Sequence, residues 1–308
     1  MKAIVTGANG FIGSALVKKL VSENIEVLAL DISFANSRLP ENDLITVKEI
    51  SVEQLIRSDN QIVNEKYDIF YHFAWIGLTG ELRSDESAQI QNVINTTNCL
   101  RYAARIGCRR FVCAGSIMEY EALYAVYIQD TKPSASYNYG LCKSLAHGFC
   151  KTLAQEVGIE LVWAYITNAY GEGEISNRLI SATLRRIIKG DSIQFTAGDQ
   201  NYDFIYIDDV AEAFYLIGKN GKANCGYMIG SGEAKPLKQF ILDLCNAVGV
   251  DVKPEFGKIP YTGVALPLEV FDTSDLKNDC GFTAKIGFVD GIKRTMRWLR
   301  SIKAGDII

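Results

Sequence analysis

Short runs of β-branched residues alternate with longer helical stretches along the first half of the chain, and this alternation limits the folds it can adopt. Strands separated by helices of ten or more residues form right-handed crossovers, and therefore a parallel sheet. The pattern predicts an α/β fold with a doubly wound parallel sheet. The predicted strands are Lys2–Thr6, Glu26–Leu30, Asp68–Phe73, Arg110–Ala114 and Ile159–Ile166. The predicted helices between them are Phe11–Ser22, Ser51–Asn64, Glu86–Arg105 and Asn138–Val157.

After about Thr167 the alternation gives way to pieces that Gly and Pro residues interrupt. We expect residues 1–167 to form the doubly wound domain and residues 168–308 to form mainly a smaller C-terminal lobe. A segment at about 203–218 is expected to return to the first domain. The helices predicted in this half lie near Ser176–Lys189, Asp208–Lys219, Pro236–Val248 and Phe288–Ile302.

A glycine-rich turn, Gly-Ala-Asn-Gly-Phe-Ile-Gly at positions 7–13, joins the first strand to the first helix. One glycine allows the tight turn, a second lets backbone N–H groups approach a pyrophosphate, and a third permits close helix–strand packing. The helix N-terminus adds the positive end of its dipole. Asp31 directly follows the second strand and lies about 20 residues after the glycine turn. In dinucleotide-binding folds an acidic side chain at this place holds the ribose hydroxyl groups. This order predicts a Rossmann-type dinucleotide site with the cofactor-binding residues Gly7, Asn9, Gly10, Phe11, Ile12, Gly13 and Asp31.

Asp31 also bears on which dinucleotide binds. A carboxylate attracts a ribose 2′-hydroxyl and repels a 2′-phosphate, so the sequence favours NAD. NADP stays open as the alternative, because Ser33 and Arg38 follow closely and could hold a phosphate if their loop folds back.

Tyr139 and Lys143 are four residues apart in a predicted helix, which puts a phenol and an ammonium group on one face. A phenol is too weak an acid for neutral chemistry unless a nearby cation stabilises its phenolate. Lys143 supplies that cation, so Tyr139 is a candidate proton donor or acceptor. Ser116 follows a strand at the carboxyl edge of the sheet, where ligands bind, and its hydroxyl can hydrogen-bond a substrate carbonyl. We predict Ser116, Tyr139 and Lys143 as the catalytic residues of a hydride transfer.

Seven motifs run in one order along essentially the whole chain: T-G-x-x-G-F-I-G, DIFYHFA, the helix with Asn92, GS-x-x-x-Y, Y-x-x-x-K, NAYG and DFIYIDDVAEA. Together they resemble an extended short-chain dehydrogenase/reductase of the nucleotide-sugar epimerase/dehydratase group. The resemblance implies that Tyr139 and Lys143 also contact the cofactor, with Lys143 on the nicotinamide ribose. It implies that Ala74 and Asn92 line the cofactor cleft. The C-terminal lobe would then bind a nucleotide sugar, with Asn168 at the diphosphate.

Two departures from the family pattern narrow the chemistry. Sugar-nucleotide 4,6-dehydratases carry Thr-Asp-Glu where this chain has Ser-Ile-Met at positions 116–118, so we expect no dehydration. The Arg that grips the diphosphate in many relatives is replaced here by Tyr202, and the Arg expected in the later C-terminal segment is not evident around Pro260–Ser274. Candidates to bind the diphosphate instead are Arg178, Arg185 and Arg186. We count Ser116, Met118, Asn168 and Arg178 as substrate-binding residues.

Two enzymatic activities remain open. One is reduction of an NDP-4-keto-6-deoxy sugar, in which Tyr139 protonates the oxygen while hydride adds to C4. The other is 4-epimerisation, which oxidises and re-reduces C4 with a retained NAD. Similarity of the Gly230–Ala234 segment to deoxysugar synthases favours the 4-ketoreductase. A non-catalytic dinucleotide-binding sensor on the same fold is a third interpretation, which the intact Tyr139–Lys143 pair disfavours.

Composition and cysteine spacing exclude other classes. With 32 Lys+Arg against 36 Asp+Glu, the net charge of −4 gives no basic surface for nucleic acid. The eight cysteines form no C-x-x-C pair, and no apolar run reaches the ~18 residues of a membrane span. We therefore expect no metal site, no nucleic-acid or membrane partner, and a cytoplasmic location with free thiols.

By the resemblance, the helices Glu86–Arg105 and Asn138–Val157 would form a four-helix homodimer interface. The small or apolar residues that suit this interface are Ala103, Ala104, Leu145, Ala146 and Phe149.

Four further features have both a structural and a functional interpretation. His72 in a buried strand is expected to be a core residue, and His147 a surface or interface residue. Glu172 and Glu174 are interpreted as part of a solvated loop. The loop from Trp75 to Arg83 is either a substrate lid or a plain surface loop.

Overall fold

The computed structural model describes residues 1–57, 65–128, 131, 133–249 and 253–302, and the structural statements below refer to these residues. The strands are β1 (Lys2–Thr6), β2 (Glu26–Asp31), β3 (Ile45–Glu49), β4 (Ile69–His72), β5 (Arg110–Ser116), β6 (Glu160–Ile166), β7 (Asn168–Tyr170), β8 (Asn201–Tyr202), β9 (Phe204–Tyr206), β10 (Cys225–Ile229) and β11 (Lys235–Pro236). The helices are α1 (Phe11–Ser22), α2 (Val52–Arg57), α3 (Glu86–Arg105), α4 (Met118–Tyr127), α5 (Asn138–Val157), α6 (Leu179–Lys189), α7 (Ile207–Asn220), α8 (Leu237–Val248), α9 (Ser274–Cys280) and α10 (Phe288–Ser301).

Seven strands form one sheet in the order β10-β6-β5-β4-β1-β2-β3, and every neighbouring pair is parallel. From β1 the chain winds outward through β2 and β3, and then returns to β4 on the other side of β1. This reversal is the topological switch point of a doubly wound sheet, beyond whose carboxyl ends ligands bind. The predicted α/β fold class, with a Rossmann-type parallel sheet, is confirmed.

Aromatic side chains hold α3 against the central strands. Phe70 on β4 and Phe111 on β5 stack with their ring centres 5.4 Å apart. Tyr102 on α3 meets Phe70 edge-on, at 6.5 Å between ring centres. Because each buried aromatic side chain removes roughly 150–250 Å² from water, this cluster stabilises the strands whose ends carry the candidate site.

The chain divides into two compact units. Unit 1 contains Met1–Ile166, Ala211–Ile229 and Ser274–Phe282, and with them the seven-stranded sheet. Unit 2 contains the remaining described residues. Within unit 2, β7 pairs with β9 in parallel and β8 pairs with β11 in antiparallel orientation. Two segments therefore return to unit 1, where the sequence analysis expected one at about 203–218.

The strands β3 and β10 and the helix α4 are among the elements that were not predicted from the sequence. The edge strand β3 is largely exposed and carries charged residues, so it lacks the apolar pattern of a buried strand. The strand β10 is short and contains a glycine, and α4 follows β5 with a single residue between them.

The second predicted helix, Ser51–Asn64, is described over Val52–Arg57, and residues 58–64 lie outside the described part. The helix predicted from Ser176 begins at Leu179.

The described ranges contain no helix with the length and apolar character needed to cross a membrane.

Candidate active site

The glycine turn leaves no room for a side chain at Gly7 or at Gly13. Gly7 has φ +68°, and a Cβ atom on it would lie 2.9 Å from the backbone nitrogen of Ala74. A Cβ atom on Gly13 would lie 2.1 Å from the carbonyl oxygen of Gly7. Gly10 caps α1 without a side-chain hydrogen bond, so the first-turn N–H groups have no side-chain cap. This bare helix N-terminus fits a pyrophosphate, as the sequence spacing predicted.

Asp31 is fixed at the end of β2 by two backbone donors. Its Oδ2 accepts from the Asn9 N–H and its Oδ1 from the Ile32 N–H, both at 2.8 Å. Asp31 also lines a cavity whose other lining residues are mostly apolar. Residues lining this cavity include Gly7, Asp31, Ala74, Leu30, Val52 and Leu55. A carboxylate beside apolar side chains at the end of the second strand is the chemistry that an adenosine ribose and its base require.

The side chain of Asn9 holds a loop rather than reaching outward. Its Nδ2 donates to the carbonyl oxygen of Ser33 at 3.0 Å, and its Oδ1 accepts from the Arg38 N–H at 2.8 Å. The loop of residues 33–38 is therefore folded back beside Asp31. The sequence predicted Asn9 for the cofactor site but did not predict this clamp.

Lys143 on α5 is buried, with 3% of its surface exposed. Its Nζ donates to the carbonyl oxygen of Ala114 on β5 at 2.7 Å. The same ammonium group lies 3.7 Å from the ring centre of Trp75. An ammonium group has three donors, so these contacts fix Lys143 and leave donors for a ligand.

Tyr139 lies one turn before Lys143 and is enclosed by two planar groups. The Trp75 ring stands nearly perpendicular to it, at 83°, with the ring centres 6.0 Å apart. The guanidinium carbon of Arg83 lies 4.5 Å from the centre of the phenol ring. Lys143 Nζ is 6.0 Å from the same centre. Two cations therefore lie near the phenol, of which the sequence predicted Lys143 alone.

Ser116 is the last residue of β5, which extends two residues beyond the predicted strand. Its Oγ accepts from the Met118 N–H at 3.2 Å, and this bond leaves the hydroxyl hydrogen to donate. Gly140 lets α5 approach this point, because a Cβ atom there would lie 2.2 Å from the Met118 carbonyl oxygen. The predicted trio of Ser116, Tyr139 and Lys143 is thus gathered around the carboxyl end of β5.

The loop after β4 is clamped by buried amides. Gln89 on α3 accepts from Trp75 Nε1 at 2.8 Å and donates to the Leu82 carbonyl oxygen at 2.8 Å. Asn92, predicted to line the cofactor cleft, uses its amide to bond both the N–H and the carbonyl of Ile76. These bonds tie Trp75, Ile76 and Leu82 of the loop to α3.

The predicted substrate residues of unit 2 are tied to their own unit. Asn168 Nδ2 donates to the carbonyl oxygen of Asp203 at 3.1 Å. Arg178 precedes α6 with its guanidinium 3.8 Å from Glu174. Arg185 donates to the carbonyl oxygen of Ser176 at 2.7 Å and to Asn177 Oδ1 at 3.0 Å, so its guanidinium group already has hydrogen-bond partners within unit 2.

The solvated-loop interpretation is wrong for Glu174. This side chain is 6% exposed and accepts from the Ser176 N–H at 2.8 Å, which orders the approach to α6. Glu172 is exposed, as expected.

The two histidines are both packing residues. His72 is held between the hydroxyl groups of Thr6, at 2.8 Å, and Thr96, at 3.2 Å, and burial lowers its pKa to about 3. Its predicted core role is confirmed. His147 was expected at a surface or an interface; it is partly buried and stacks on Trp163 with ring centres 4.6 Å apart. Burial lowers the pKa of His147 to about 4.

Known proteins resemble the chain over most of its length. The model of the NAD dependent epimerase/dehydratase family matches residues 3–230. A putative UDP-glucose 4-epimerase of Methanocaldococcus jannaschii is 26% identical, over 97% of this chain and 98% of the relative. A dTDP-glucose 4,6-dehydratase of Streptomyces niveus is 23% identical, over 99% and 94%. A dTDP-4-dehydro-6-deoxyglucose reductase of Escherichia coli is 25% identical, over 77% and 79%.

Solved structures share the fold. The UDP-glucose 4-epimerase of Thermotoga maritima with UDP-glucose superposes with a TM-score of 0.81 and 22% identity, over 97% of this chain and 99% of that one. The UDP-glucuronic acid 4-epimerase of Bacillus cereus, in complex with UDP-glucuronic acid and NAD, gives a TM-score of 0.81 and 20% identity, over 98% and 100%.

Proposed function

The chain belongs to the NAD dependent epimerase/dehydratase family, and we propose that it transfers hydride between NAD(H) and C4 of a nucleotide sugar. The specific activity we propose is reduction of an NDP-4-keto-6-deoxy sugar to the 4-hydroxy sugar. One observation supports this proposal: Lys143 bonds the Ala114 carbonyl oxygen of β5, the strand that ends at Ser116, and Tyr139 lies one turn before Lys143. The two positions after Ser116 are Ile117 and Met118.

The residues that would hold NAD are the glycine turn, Asp31 and Lys143. The first-turn N–H groups of α1 suit its pyrophosphate, and the Asp31 carboxylate suits the adenosine ribose. Bound NAD supplies or receives the hydride. The remaining donors of Lys143 Nζ suit the hydroxyl groups of the nicotinamide ribose.

Tyr139 handles the proton in this proposal. Its phenol gives a proton to the substrate carbonyl oxygen as hydride adds to C4, so that the ketone becomes a hydroxyl group. The charges of Lys143 and Arg83 beside the ring stabilise the phenolate that remains. The Ser116 hydroxyl donates to the same substrate oxygen while negative charge develops on it.

Positions 117 and 118 favour redox chemistry without loss of water. Elimination needs an acid at the leaving hydroxyl group and a base at the neighbouring carbon. Ile117 is 3% exposed, and neither it nor Met118 carries an ionisable group. The next residue, Glu119, is buried and accepts from Ser116 and Trp163 instead. We therefore do not extend the dehydratase activity of the Streptomyces niveus relative to this chain.

4-Epimerisation with retained NAD is the second candidate. It uses the same three side chains, because oxidation and reduction at C4 are reverse steps through one ketone. The similarity to the Methanocaldococcus jannaschii relative and to two solved 4-epimerases supports it.

An NADH-consumption assay with a panel of dTDP-, UDP-, GDP- and CDP-linked 4-keto-6-deoxy sugars tests the proposal. We expect one NADH to be consumed for each 4-hydroxy product. A UDP-hexose epimerised without net use of NADH would support the second candidate instead. Binding of NADH with no turnover of any sugar would contradict both and leave the dinucleotide-binding sensor.

The Asp31 carboxylate is expected to set both affinity and cofactor choice. Asp31→Ala should weaken NADH binding roughly 10- to 150-fold, because a charge-assisted hydrogen bond contributes about 1.5–3 kcal/mol. The variant should also lose discrimination against NADPH. Titration of both cofactors checks this, with Arg38→Gln as the control that spares NADH. Preference of the unmodified protein for NADPH would contradict the assignment and point to Ser33 and Arg38.

We propose a homodimer formed through α3 and α5. Ala103 and Ala146, which the sequence analysis placed in the interface, are fully buried within the chain and pack against its own core. Four apolar residues of these helices are 43–53% exposed: Ile90, Ile94, Leu145 and Phe149. An apolar face of this kind suits an isologous interface.

Phe149→Lys combined with Ile94→Lys should convert the dimer to a monomer, because the two charges would be buried without partners. Light scattering should give twice the 34.1 kDa chain mass for the unmodified protein. Val47→Lys, an exposed site on the edge strand β3, is the matched control and should stay dimeric. A monomeric unmodified protein at micromolar concentration would refute the dimer.

We also propose a cytoplasmic location, which the eight unpaired cysteines support.

A further inference from the structure

A buried carboxyl group lies directly behind the end of β5. Glu119, in the first turn of α4, is 3% exposed. Its Oε1 accepts from the backbone N–H of Ser116 at 2.8 Å and from Trp163 Nε1 at 3.0 Å. Glutamate is almost never this buried without a partner, and here the Ser116 N–H and the Trp163 indole N–H both donate to one oxygen.

The strand end rests tightly on these two groups. A Cβ atom on Gly115 would lie 2.2 Å from Trp163 Nε1 and 2.7 Å from Glu119 Oε1. The Ser116 backbone therefore has little freedom while the carboxyl group and the indole stay bonded. Because Ser116 Oγ is attached to this backbone and accepts from the Met118 N–H, its direction depends on the same contacts.

We propose that Glu119 is a positioning residue, whose Oε1 fixes the backbone of Ser116 so that the Ser116 hydroxyl points at the substrate oxygen. This inference rests on the proposed function, because it assumes that the Ser116 hydroxyl takes part in the reaction. Glu119 acts through Ser116 and needs no contact of its own with substrate.

Ionisable groups surround Glu119 on each element packed against it. They are Cys113 on β5, Tyr120 on α4, Lys143 on α5 and Tyr165 on β6. Lys143 is the cation among them, and it favours the carboxylate. Burial outweighs that effect and raises the pKa of Glu119 to about 7. Its charge therefore changes within the range over which turnover is measured.

The negative charge of ionised Glu119 is expected to lower kcat. Below about pH 7 the carboxyl group is neutral, and above it a negative charge lies one helical turn from the hydroxyl that faces the developing oxyanion. We expect kcat for reduction to fall as this charge appears. Glu119→Gln keeps an acceptor oxygen of the same reach but cannot ionise, so its kcat profile should lack this fall.

Turnover of four proteins tests the positioning role: the unmodified enzyme, Glu119→Met, Ser116→Ala and the double variant. Glu119→Met removes the acceptor and should lower kcat ~10- to 100-fold with little change in KM, as expected for a misplaced catalytic group. Ser116→Ala keeps the backbone N–H but has no hydroxyl left to position. Glu119→Met should therefore cost less than about threefold in the Ser116→Ala background. Glu119→Gln should retain most of the turnover.

The outcomes separate this inference from the proposed function. Loss of turnover in Ser116→Ala, with the same cost of Glu119→Met in both backgrounds, would overturn the positioning role and leave the proposed function standing. Unchanged turnover in Ser116→Ala would remove Ser116 from the reaction and overturn both.

A spectroscopic measurement needs neither substrate nor a stable Glu119→Met. The ¹⁵N-labelled indole signal of Trp163, assigned with Trp163→Phe, should shift between pH 6 and 8 in the unmodified protein and stay constant in Glu119→Gln. His147 stacks on the same indole, but its pKa of about 4 lies below this range. An indole signal that is the same at every pH in the unmodified protein and in Glu119→Gln would contradict the contact on which the inference rests.

Discussion

Tyr139→Phe is expected to lower kcat roughly 10²- to 10⁴-fold, the usual contribution of a positioned general acid. The change removes one hydroxyl group and leaves the ring between Trp75 and Arg83. NADH affinity and the thermal midpoint should therefore stay close to those of the unmodified enzyme. Stopped-flow or steady-state NADH consumption at saturating NADH measures the effect.

Tyr120→Phe is the matched control for this loss. Tyr120 lies on α4 and meets Tyr165 edge-on, with ring centres 5.2 Å apart, so its hydroxyl group has no proposed part in the reaction. Near-normal turnover in Tyr139→Phe would show that the proton comes from elsewhere. The search would then turn to Tyr120, Tyr137 and Glu119.

Lys143→Met should damage both cofactor binding and turnover, because one ammonium group has two roles. Loss of its hydrogen bond to the nicotinamide ribose should weaken NADH binding roughly 10- to 150-fold. At saturating NADH, kcat should still fall, since the charge that favours the Tyr139 phenolate is gone. The free energy of unfolding should also drop by about 1–3 kcal/mol, because the buried Ala114 carbonyl oxygen loses its donor.

Fluorescence titration with NADH, followed by kcat measured above the new Kd, separates the two roles of Lys143. Lys151→Met is the control, since this residue lies on the same helix but is exposed. Unchanged NADH affinity with reduced kcat would remove the ribose contact from the account and leave the electrostatic role.

The fold was predictable because its signals are local. The runs that form β1, β4 and β5 are apolar and β-branched or aromatic. The glycine turn can be recognised from seven consecutive residues. The strand β3 escaped prediction because an exposed edge strand needs no apolar pattern. The place of Ser116 was predictable for the same local reason, since it follows a buried strand.

The surroundings of the trio depend on contacts distant in sequence. Trp75 lies against Lys143, and Arg83 against Tyr139, only because β4 and α5 belong to one folded unit. Glu119 was even harder to predict, since glutamate in a helix is ordinarily exposed. The one available signal was a carboxyl group one turn after Ser116, in a helix that begins where the sheet ends.

Deuterium transfer from labelled NADH tests the central claim most directly. The enzyme is incubated with an NDP-4-keto-6-deoxy sugar and with NADH carrying deuterium on either face of the nicotinamide C4, and the product is examined by NMR and mass spectrometry. We expect one of the two labelled cofactors, and not the other, to give a product with a single deuterium at C4 of the sugar. One NADH should be consumed for each molecule of product. Recovery of the 4-keto sugar without deuterium, with the label still on the cofactor, would contradict the account.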